Sequence, residues 1–557
     1  MDVCAVIGEY GKFQRGVFWF GLIRGTPMGL HLIVASFFLP EISHWCSPPT
    51  DVLASNWTLD SWKALALSQN NSISENGDIG RSECLMRPTR VIDGQVMLTE
   101  GTRVACTEWE YGPSFSGHSL VQEWDLVCEH AWMRSLVQSS VMTGMLLGCL
   151  ICSALGDRIG RRPLLISSCA VTTIAGLVAA LAPSFGVFLC ARFILGISLA
   201  ITQTAAFCLL VEVTGPKHRT SSAVAFTLGF TISLLILPGI VWVLQNWRHV
   251  QVAITLPFIG ILIWSWFLPE SPRWLVATGR MEEAASTILR AACANGTQIH
   301  DLDSVLSQLR KKILKEKEEA VKVRYTDLVR FPKVRGYSFI LVISCISSGA
   351  VFYGIQLSLT SIGGDPYVSF LLGGLGDLLG VLVCYCTVRW FRRRRATPVV
   401  YGGTAICCLG LAFIPRSLVW LRRADGIVGQ AVSTTAFTLS WIYAAEVFPT
   451  VLRTMGVGVC LMAIRVGSAL VPFLLETKRY THESVPMVAL ATIYTLAALL
   501  VLLLPETFRV ALPDTLRETM ELSKSKKAKA DPAAKQKVEL VAFEEPISRL
   551  NEEQEKQ

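Results

Sequence analysis

Residues 135–163 read SLVQSSVMTGMLLGCLICSALGDRIGRRP. The first 21 residues carry no charged side chain, whereas the last seven contain one aspartate and three arginines. A helix needs about 20 apolar residues to cross a hydrocarbon core about 30 Å thick, so residues 135–155 are long enough to span a membrane. The basic end predicts that the following loop lies in the cytoplasm, because short cytoplasmic loops are rich in Lys and Arg.

Eleven other stretches have the same apolar character. Hydrophobic residues make up 52% of the 557 residues and charged residues only 17%, whereas a soluble protein carries about 25% charged residues. The composition therefore predicts an all-α membrane protein with twelve transmembrane helices. The predicted spans are 17–39, 135–155, 164–182, 187–211, 221–244, 250–268, 336–357, 366–388, 398–415, 426–446, 455–475 and 485–504.

The loops predict the orientation of the chain. Basic residues concentrate in 157–163, 215–220 and 389–395, which follow even-numbered spans and therefore share one side, the cytoplasm. Both termini then lie in the cytoplasm. The loop 416–423 carries three arginines on the predicted outer side and departs from this rule.

A long hydrophilic insertion at 41–134 lies on the predicted outer side. Four of its cysteines, an even number in an oxidising compartment, predict two disulfides with three possible pairings. Two of its Asn-x-Ser/Thr sequons are candidate glycosylation sites. These cysteines are Cys46, Cys84, Cys106 and Cys128, and the sequon residues are Asn56 and Asn70.

The chain divides into two groups of six spans, as in transporters built from repeated halves. We predict an N-terminal cytoplasmic segment, an N-terminal six-helix bundle, a charged cytoplasmic linker, a C-terminal six-helix bundle and a cytoplasmic tail that is largely disordered. Their ranges are 1–16, 17–268 (with the extracellular loop 41–134), 269–335, 336–504 and 505–557.

Several functional classes are excluded at this level. The net charge of +8 resides in short loops rather than on one face of a soluble domain, which argues against nucleic acid as a partner. No Gly-x-x-x-x-Gly-Lys-[Ser/Thr] phosphate loop occurs, so direct ATP drive is not expected. The soluble segments contain no paired carboxylates, nucleophile motif or metal-spaced His/Cys cluster, so we expect neither an enzyme nor a cofactor or metal.

Six stretches in the expected order resemble known carriers. DRIGRR (157–162) and ARFILG (191–196) are similar to motifs of the major facilitator superfamily. Four others narrow the resemblance to the organic cation/anion/zwitterion transporter family: QEWDLVC (122–128), LPESPRWLVATGR (268–280), AAEVFPTVLRTMGVG (444–458) and LPETFRVALPDT (504–515). The resemblance implies the major facilitator fold, two pseudo-symmetric six-helix bundles around a cavity that opens to each side in turn. It also implies the disulfides Cys46–Cys106 and Cys84–Cys128.

The eleventh span contains Arg465 in MAIRVGSALVP (462–472). Anion carriers of this family have a basic residue in a similar stretch, where cation carriers tend to have an aspartate. A guanidinium held out of water offers a fork of donors that matches a carboxylate or sulfonate. The resemblance therefore implies an organic anion as substrate. Together with the aromatic positions of span 10, it suggests these substrate-binding residues: Arg465, His31, Tyr353, Phe437, Trp441, Tyr443 and Asp377.

The alternative interpretation is that these residues serve the fold and do not contact substrate. Arg465 and Asp377, which lies near mid-membrane in span 8, would form a buried ion pair that joins two helices. His31 would be a contact between helices, and the aromatic side chains of span 10 would serve only packing. A charged cytoplasmic gate network is expected to set the conformational balance: Asp157, Arg158, Arg161, Arg162, Glu212, Arg219, Glu446 and Arg453.

We therefore expect a polyspecific secondary transporter of organic anions in the plasma membrane that works by alternating access. Its partners would be small organic anions and membrane lipid, and a monomer would be sufficient. Two departures from the family keep alternatives open. Span 8 has no basic residue, and Val388 and Phe391 stand where the repeated loop motif would place aspartate and glycine, which predicts a weakened second clamp. These favour a non-transporting receptor or scaffold, and Asp377 allows an organic cation transporter.

Overall fold

The computed structural model describes residues 6–8, 10–48, 62, 66, 84–92, 95–98, 103–113, 117–299, 301–321, 327–362, 364–415 and 417–508. Within them a helix lies at each of the twelve predicted spans. Ten helices are long and apolar enough to cross a membrane. The other two are a 29-residue helix, Val419–Val447, with a buried polar face, and the 17-residue apolar helix Val485–Val501.

The N-terminal bundle contains α1 to α6. Their bounds are Lys12–Ile33 (continued by Ala35–Phe38), Met133–Ile159, Arg161–Ala180, Phe185–Val213, Pro216–Leu244 and Trp247–Thr255 (continued by Pro257–Phe267). The C-terminal bundle contains α7 to α12. Their bounds are Pro332–Ser358, Pro366–Trp390, Arg393–Phe413, Val419–Val447, Thr450–Glu476 and Val485–Val501.

The two bundles repeat one packing scheme. Helix α1 packs on α5, α2 on α4, and α3 on both α4 and α6; in the second bundle α7 packs on α11, α8 on α10, and α9 on both α10 and α12. The contacts between bundles, α2 with α11 and α5 with α8, are related by the same displacement of six helices. The fold therefore has the internal symmetry that a repeated six-helix unit produces.

Glycine allows close helix contacts in both bundles. A Cβ added to Gly144 on α2 would lie 2.2 Å from the carbonyl oxygen of Phe193 on α4. A Cβ on Gly376 of α8 would lie 2.5 Å from the carbonyl oxygen of Ile427 on α10. Small residues allow helix backbones to approach in a membrane, where no hydrophobic force drives helices together. A second glycine one turn later continues each contact.

The insertion after α1 is joined by short antiparallel strands and two disulfides. Strands β1 (His44–Cys46), β2 (Leu85–Met86), β3 (Thr89–Ile92), β4 (Gln95–Leu98), β5 (Val104–Ala105) and β6 (Trp109–Tyr111) form the pairs β1–β6, β2–β5 and β3–β4. Cys46 is bonded to Cys106, and Cys84 to Cys128. Both implied pairings are confirmed, whereas the sequon residues Asn56 and Asn70 lie outside the described residues. We call this end of the bundles the disulfide face.

The opposite end, the linker face, carries a small second core. Helices Pro272–Ala277, Met281–Asn295, Leu302–Val321 and Asp327–Arg330 follow α6. Trp274, Ile288 and Leu309 are buried there together with Ile7 from the N-terminal segment. The Asn295 amide donates to the Ile7 carbonyl at 2.6 Å and its oxygen accepts from the Phe13 backbone at 3.0 Å. The linker helices are thereby tied to the start of α1.

The two bundles meet over the halves nearest the disulfide face. Ser135 and Ser139 at the start of α2 donate to the carbonyls of Pro472 and Ala469 near the end of α11, at 3.0 and 2.5 Å. Lys478 after α11 pairs with Glu41 after α1. The ion pairs that the described residues form at the linker face join helices of one bundle. The structure is therefore closed at the disulfide face.

Candidate functional site

Arg465 lies midway along α11, half-buried, between the two bundles. Its Nη2 donates to Oε1 of Gln203 on α4 at 3.2 Å, and the guanidinium also bonds the hydroxyl of Tyr353 on α7. In the described ranges no carboxylate forms an ion pair with Arg465. A cation therefore lies between the bundles with only neutral hydrogen-bond partners.

The carboxylate of Asp377 is bonded to groups other than Arg465. Asp377 on α8 is buried and accepts hydrogen bonds from Thr231 at 2.6 Å, Thr434 at 2.5 Å and Gln430 at 3.5 Å. The ion pair between Asp377 and Arg465 that we considered from the sequence is therefore absent from this structure. Hydroxyl and amide groups, and not a cation, are the hydrogen-bond partners of Asp377. One of these donors, Thr231, belongs to α5 of the opposite bundle. Asp377 is thus a contact between bundles.

Aromatic rings surround the region beside Arg465. Phe352 on α7 packs on Phe437 of α10, with ring centroids 4.8 Å apart, and faces Phe230 of α5 at 6.0 Å. Trp441, one turn further along α10 than Phe437, is also half-buried. Phe437 therefore lies close to the bundle interface, because its neighbour Phe352 faces Phe230 of the other bundle.

Two other predicted residues lie apart from this group. The Tyr443 side chain is buried and donates to the carbonyl of Pro505 at 2.6 Å, which anchors α10 at the linker face. His31 is buried inside the N-terminal bundle, where its ring lies 5.8 Å from that of Phe258 and its carbonyl accepts from Arg192 at 3.2 Å. Neither residue shares a contact with Arg465 in the described structure.

A clamp of charges holds the linker face of the N-terminal bundle. Arg161 begins α3 and pairs with Glu212 at 2.9 Å and with Asp157 at 3.3 Å. Glu270 after α6 accepts the backbone N–H groups of Arg161 and Arg162 at 3.0 and 3.1 Å. A carboxylate stabilises a helix N-terminus because the first N–H groups have no partner within the helix. Glu270, and not the mostly exposed Asp157, fills that place.

The C-terminal bundle repeats this clamp. Arg393 begins α9, pairs with Glu446 at 3.2 Å, and donates its backbone N–H to Glu506 at 2.9 Å. Arg394 donates to the Leu502 carbonyl at 2.8 Å, as Arg162 donates to that of Trp266 at 2.6 Å. Among the described residues Arg393 has no counterpart of the ion pair between Arg161 and Asp157. The second clamp keeps the arginine–glutamate pair and the capping carboxylate but lacks one of the two carboxylates that bind the first arginine. Val388 supplies only a backbone carbonyl to Arg393, at 2.7 Å, and a carbonyl does not depend on the side chain.

The clamp carboxylates Glu270 and Glu506 were missed at the sequence level. Both stand in a repeated Leu-Pro-Glu at 268–270 and 504–506, one after each sixth helix, and this repeat was the available signal. Of the remaining gate residues, Arg158 is exposed and Arg453 donates to the Phe448 carbonyl at 3.3 Å. The side chain of Arg219 lies outside the described residues.

An ion pair of partly exposed side chains, Lys478 and Glu41, joins the two bundles at the disulfide face. Burial favours the neutral form of Glu41, but Lys478 outweighs it and lowers the pKa of that carboxyl. Arg479 and Arg134 act in the same direction. Glu41 is therefore ionised at neutral pH, and its attraction to Lys478 holds the ends of α1 and α11 together.

Two further features of the described residues have the form of binding sites. Among the described residues, His44, Cys84 and Cys128 have the spacing of metal ligands, but the disulfide uses both sulfurs, which leaves one imidazole. An apolar groove of about 400 Å³ lies between α3 and α4 and is lined by residues such as Val171, Val178 and Val187. Its apolar lining suits contact with lipid.

Two symmetric six-helix bundles, closed at one end and with a polar centre between them, define a secondary transporter of the alternating-access type and not an enzyme. The model of the family described as sugar (and other) transporter matches residues 106–526. The chain is 31% identical over 536 residues to solute carrier family 22 member 3 of Mus musculus, covering 93% of this chain and 95% of that protein. The chain belongs to the sugar (and other) transporter family, and within it to solute carrier family 22.

Other similarities agree with this assignment. Organic anion transporter 3 of Sus scrofa is 30% identical over 539 residues, with 95% of each chain covered. Among solved structures, the partially occluded inward-open xylose transporter XylE from E. coli matches with a TM-score of 0.60 at 16% identity, covering 90% of this chain and 100% of that chain. The latter establishes the major facilitator fold. Relatives named for anions and for cations are nearly equally similar.

Proposed function

We propose that this chain is a polyspecific secondary transporter of organic anions and that Arg465 binds the anionic group of the substrate. The observation that carries the proposal is the guanidinium between the bundles with neutral partners only, Gln203 and Tyr353. A cation at membrane depth without a carboxylate partner favours an anionic ligand. A carboxylate or sulfonate would accept two parallel hydrogen bonds from this group.

The aromatic side chains would bind the apolar part of the substrate. Phe437, Trp441 and the ring of Tyr353 would contact the apolar body of an amphipathic anion, and aromatic faces tolerate many shapes. His31 and Tyr443, predicted as substrate contacts, are enclosed in single bundles, so we leave them out of the proposed site. Substrate recognition would then rest on one charge and a surface of rings.

Alternating access would follow from the two bundles rocking about this centre. In the closed arrangement at the disulfide face, substrate reaches Arg465 from the linker face. Opening that face requires the contacts of Ser135, Ser139 and Asp377 with the other bundle to break. The clamps around Arg161 and Arg393 each lie within one bundle and would move as units.

We place the transporter in the plasma membrane with both termini in the cytoplasm and a monomer as the working unit. The basic loops and the disulfide-bonded insertion on opposite faces support this orientation. Glycans would attach at Asn56 and Asn70. A further Asn-Gly-Thr sequon lies at 295–297 in the linker. Its Asn295 supports a cytoplasmic linker, because the amide is bonded within the fold and is not free for a glycan.

Uptake of a labelled aromatic carboxylate into cells that express the full chain tests the proposal. Arg465→Ala is expected to raise KM about 10- to 150-fold, because a hydrogen bond to a charged group contributes about 1.5–3 kcal/mol. Arg465→Lys should recover part of the loss. Arg310→Gln, an exposed arginine of the linker, is the matched control and should transport like the parent. Unchanged KM and maximal rate in Arg465→Ala would remove Arg465 from the site.

Two other functions remain distinguishable by the same assay. An organic cation transporter would take up a labelled quaternary amine and lose that uptake in Asp377→Asn. We favour it less, because Asp377 is buried and bonded by hydroxyl groups. A non-transporting receptor or scaffold would show no flux of any anion or cation. The ion pair between Arg393 and Glu446 weighs against it, because the second clamp is formed although it has no partner equivalent to Asp157.

A further inference from the structure

The loop between α8 and α9 carries five arginines in the seven residues 389–395. Arg393 and Arg394 belong to the clamp of the C-terminal bundle. The other three side chains are exposed, and we call them the loop arginines: Arg389, Arg392 and Arg395. None of the loop arginines forms an ion pair with a described residue, and residues 378–424 contain no Asp or Glu. Three positive charges are therefore left at this surface.

The first bundle shows that the clamp does not require these charges. Arg161 and Arg393 are equivalent, because each begins its helix and donates to the carbonyl five residues before it, at 2.9 and 2.7 Å. In this alignment the loop arginines stand where the loop between α2 and α3 has Asp157, Gly160 and Pro163. The fold closes the first clamp without a basic residue at any of these positions, so the loop arginines serve a different purpose.

Two large aromatic side chains stand among the loop arginines. Trp390 is 65% exposed and Phe391 is 58% exposed. Exposed apolar side chains lead to this loop along both helices, with Leu382 on α8 and Val399 on α9 each about two turns away. Such a surface contacts hydrocarbon in a membrane, and tryptophan is enriched where hydrocarbon meets the lipid headgroups. The loop therefore lies at the level of the headgroups.

The spacing of the loop arginines suits one headgroup. The Arg395 backbone N–H donates to the Arg392 carbonyl at 3.1 Å, so these residues lie one turn apart at the start of α9. Side chains three residues apart are neighbours on a helix surface, which lets two guanidinium groups share one phosphate. Arg389, in the last turn of α8, is bonded only to the neutral hydroxyl of Tyr385, at 3.2 Å. Its charge adds to that of the pair.

The ligand of this surface has to match both the charges and the rings. We propose that the loop arginines bind the headgroup of an anionic phospholipid and that Trp390 and Phe391 contact the upper part of its chains. Guanidinium groups bind phosphate in a forked geometry, and a headgroup with net negative charge neutralises the excess that a zwitterionic one leaves. The assignment to the cytoplasmic leaflet, which is rich in anionic lipid, rests on the orientation proposed above. Headgroup binding itself does not.

Other sources of negative charge match this surface less well. The end of the chain, residues 538–557, contains six glutamates and two basic residues, which suits the arginines. It does not account for the exposed apolar side chains that run into the loop from α8 and α9. A soluble phosphate likewise leaves both rings in water. A phospholipid covers the rings and the charges together.

Native mass spectrometry of the purified full chain in detergent micelles tests the proposal by counting bound lipids. The probes are phosphatidylserine and phosphatidylcholine with identical acyl chains, and we expect preferential retention of phosphatidylserine. Each basic residue near an anionic lipid surface contributes a factor of about five. The triple variant Arg389→Gln, Arg392→Gln, Arg395→Gln should therefore bind phosphatidylserine about 100-fold more weakly. The control Arg310→Gln, Lys311→Gln, Lys312→Gln removes the same charge from exposed positions of the linker and should bind like the parent.

Several results would overturn the proposal. Equal retention of the two lipids, or unchanged phosphatidylserine binding in the loop variant, removes the site. An equal loss in the linker control assigns binding to total charge. Full competition by glycerophosphoserine, which has no chains, assigns the loop arginines to a soluble anion. Binding that appears only after residues 521–557 are deleted assigns them to the acidic end of the chain.

If the triple variant does not fold, Arg395→Gln alone decides, with an expected loss of about fivefold and an unchanged affinity as the contrary result. The measurement is made without transport. Loss of anion uptake in Arg465→Ala therefore bears on the proposed function alone, and loss of lipid binding in the loop variant bears on this site alone.

Discussion

The hydrogen bond between Thr231 and Asp377 is expected to control which face of the carrier is closed. It joins α5 of one bundle to α8 of the other at 2.6 Å, and it belongs to the arrangement closed at the disulfide face. Replacing Thr231 with valine keeps the shape of the side chain and removes the donor. A hydrogen bond to a charged group contributes about 1.5–3 kcal/mol. The ratio of the two conformations should therefore shift about 10- to 150-fold away from closure at this face.

Thr434 provides a matched control. Its hydroxyl donates to the same carboxylate at 2.5 Å, but it lies on α10 within the C-terminal bundle. Thr434→Val removes an equivalent bond that is present whichever face is closed. It should lower the stability of the fold without changing the balance between the two faces.

Hydrogen–deuterium exchange of the purified protein distinguishes these outcomes without labels. In Thr231→Val, exchange should increase at 133–142 and 466–476, the ends of α2 and α11 at the disulfide face, and decrease at the linker face. Thr434→Val should show no such redistribution. Equal exchange patterns in the two variants would refute the argument that this bond closes the disulfide face.

Three further predictions concern the ends of the bundles. Glu270→Gln should lower the stability of the fold by about 0.5–2 kcal/mol, because the charge capping α3 is lost; an unchanged thermal unfolding temperature would contradict it. The lowered pKa of Glu41 means that its pair with Lys478 contributes fully above the ordinary carboxyl value of about 4.3 and is lost as the pH falls through the lowered value. Lys478→Met should reduce this acid dependence of exchange at the disulfide face, because Lys478 has the largest effect among the cations that lower the pKa of Glu41. An unchanged acid dependence would assign it to another group. Asn295→Ala should expose residues 6–14 to limited proteolysis, because three hydrogen bonds of Asn295 hold that segment; unchanged cleavage would show that apolar packing suffices.

The helices and the disulfides could be predicted from the sequence because each depends on a local pattern. A membrane span needs only length and apolarity, and the basic loops mark where each span ends. The structure accordingly has a helix at each of the twelve positions in its described part. The pairing of Cys46 with Cys106 did not follow from spacing, which allowed three arrangements, and came from family resemblance.

The polar contacts were harder to predict because they depend on rotation of one helix against another. Asp377 and Arg465 are the opposite charges nearest mid-membrane in their bundle, and charge alone favours an ion pair. The fold instead turns Asp377 toward hydroxyl groups on α5 and α10. Hydropathy does not predict which way Asp377 turns, because the threonines that bind it do not differ in hydropathy from other threonines of an apolar helix. The capping partner of Arg393 was harder to predict for a related reason, since Glu506 lies 113 residues away in the sequence.

The parts of the molecule that obey the internal symmetry are those that support the fold. Helix pairs, glycine contacts and arginine–glutamate clamps occur once in each bundle, with the clamps at Arg161 and Arg393. Two equivalent bundles that move against each other form the scaffold of such a transporter. Substrate recognition requires the opposite, because a symmetric centre would present the same groups to a ligand twice. Arg465 lies on α11 and no arginine lies on the apolar middle of α5, its counterpart. The charge that we assign to substrate binding therefore stands where the two halves differ.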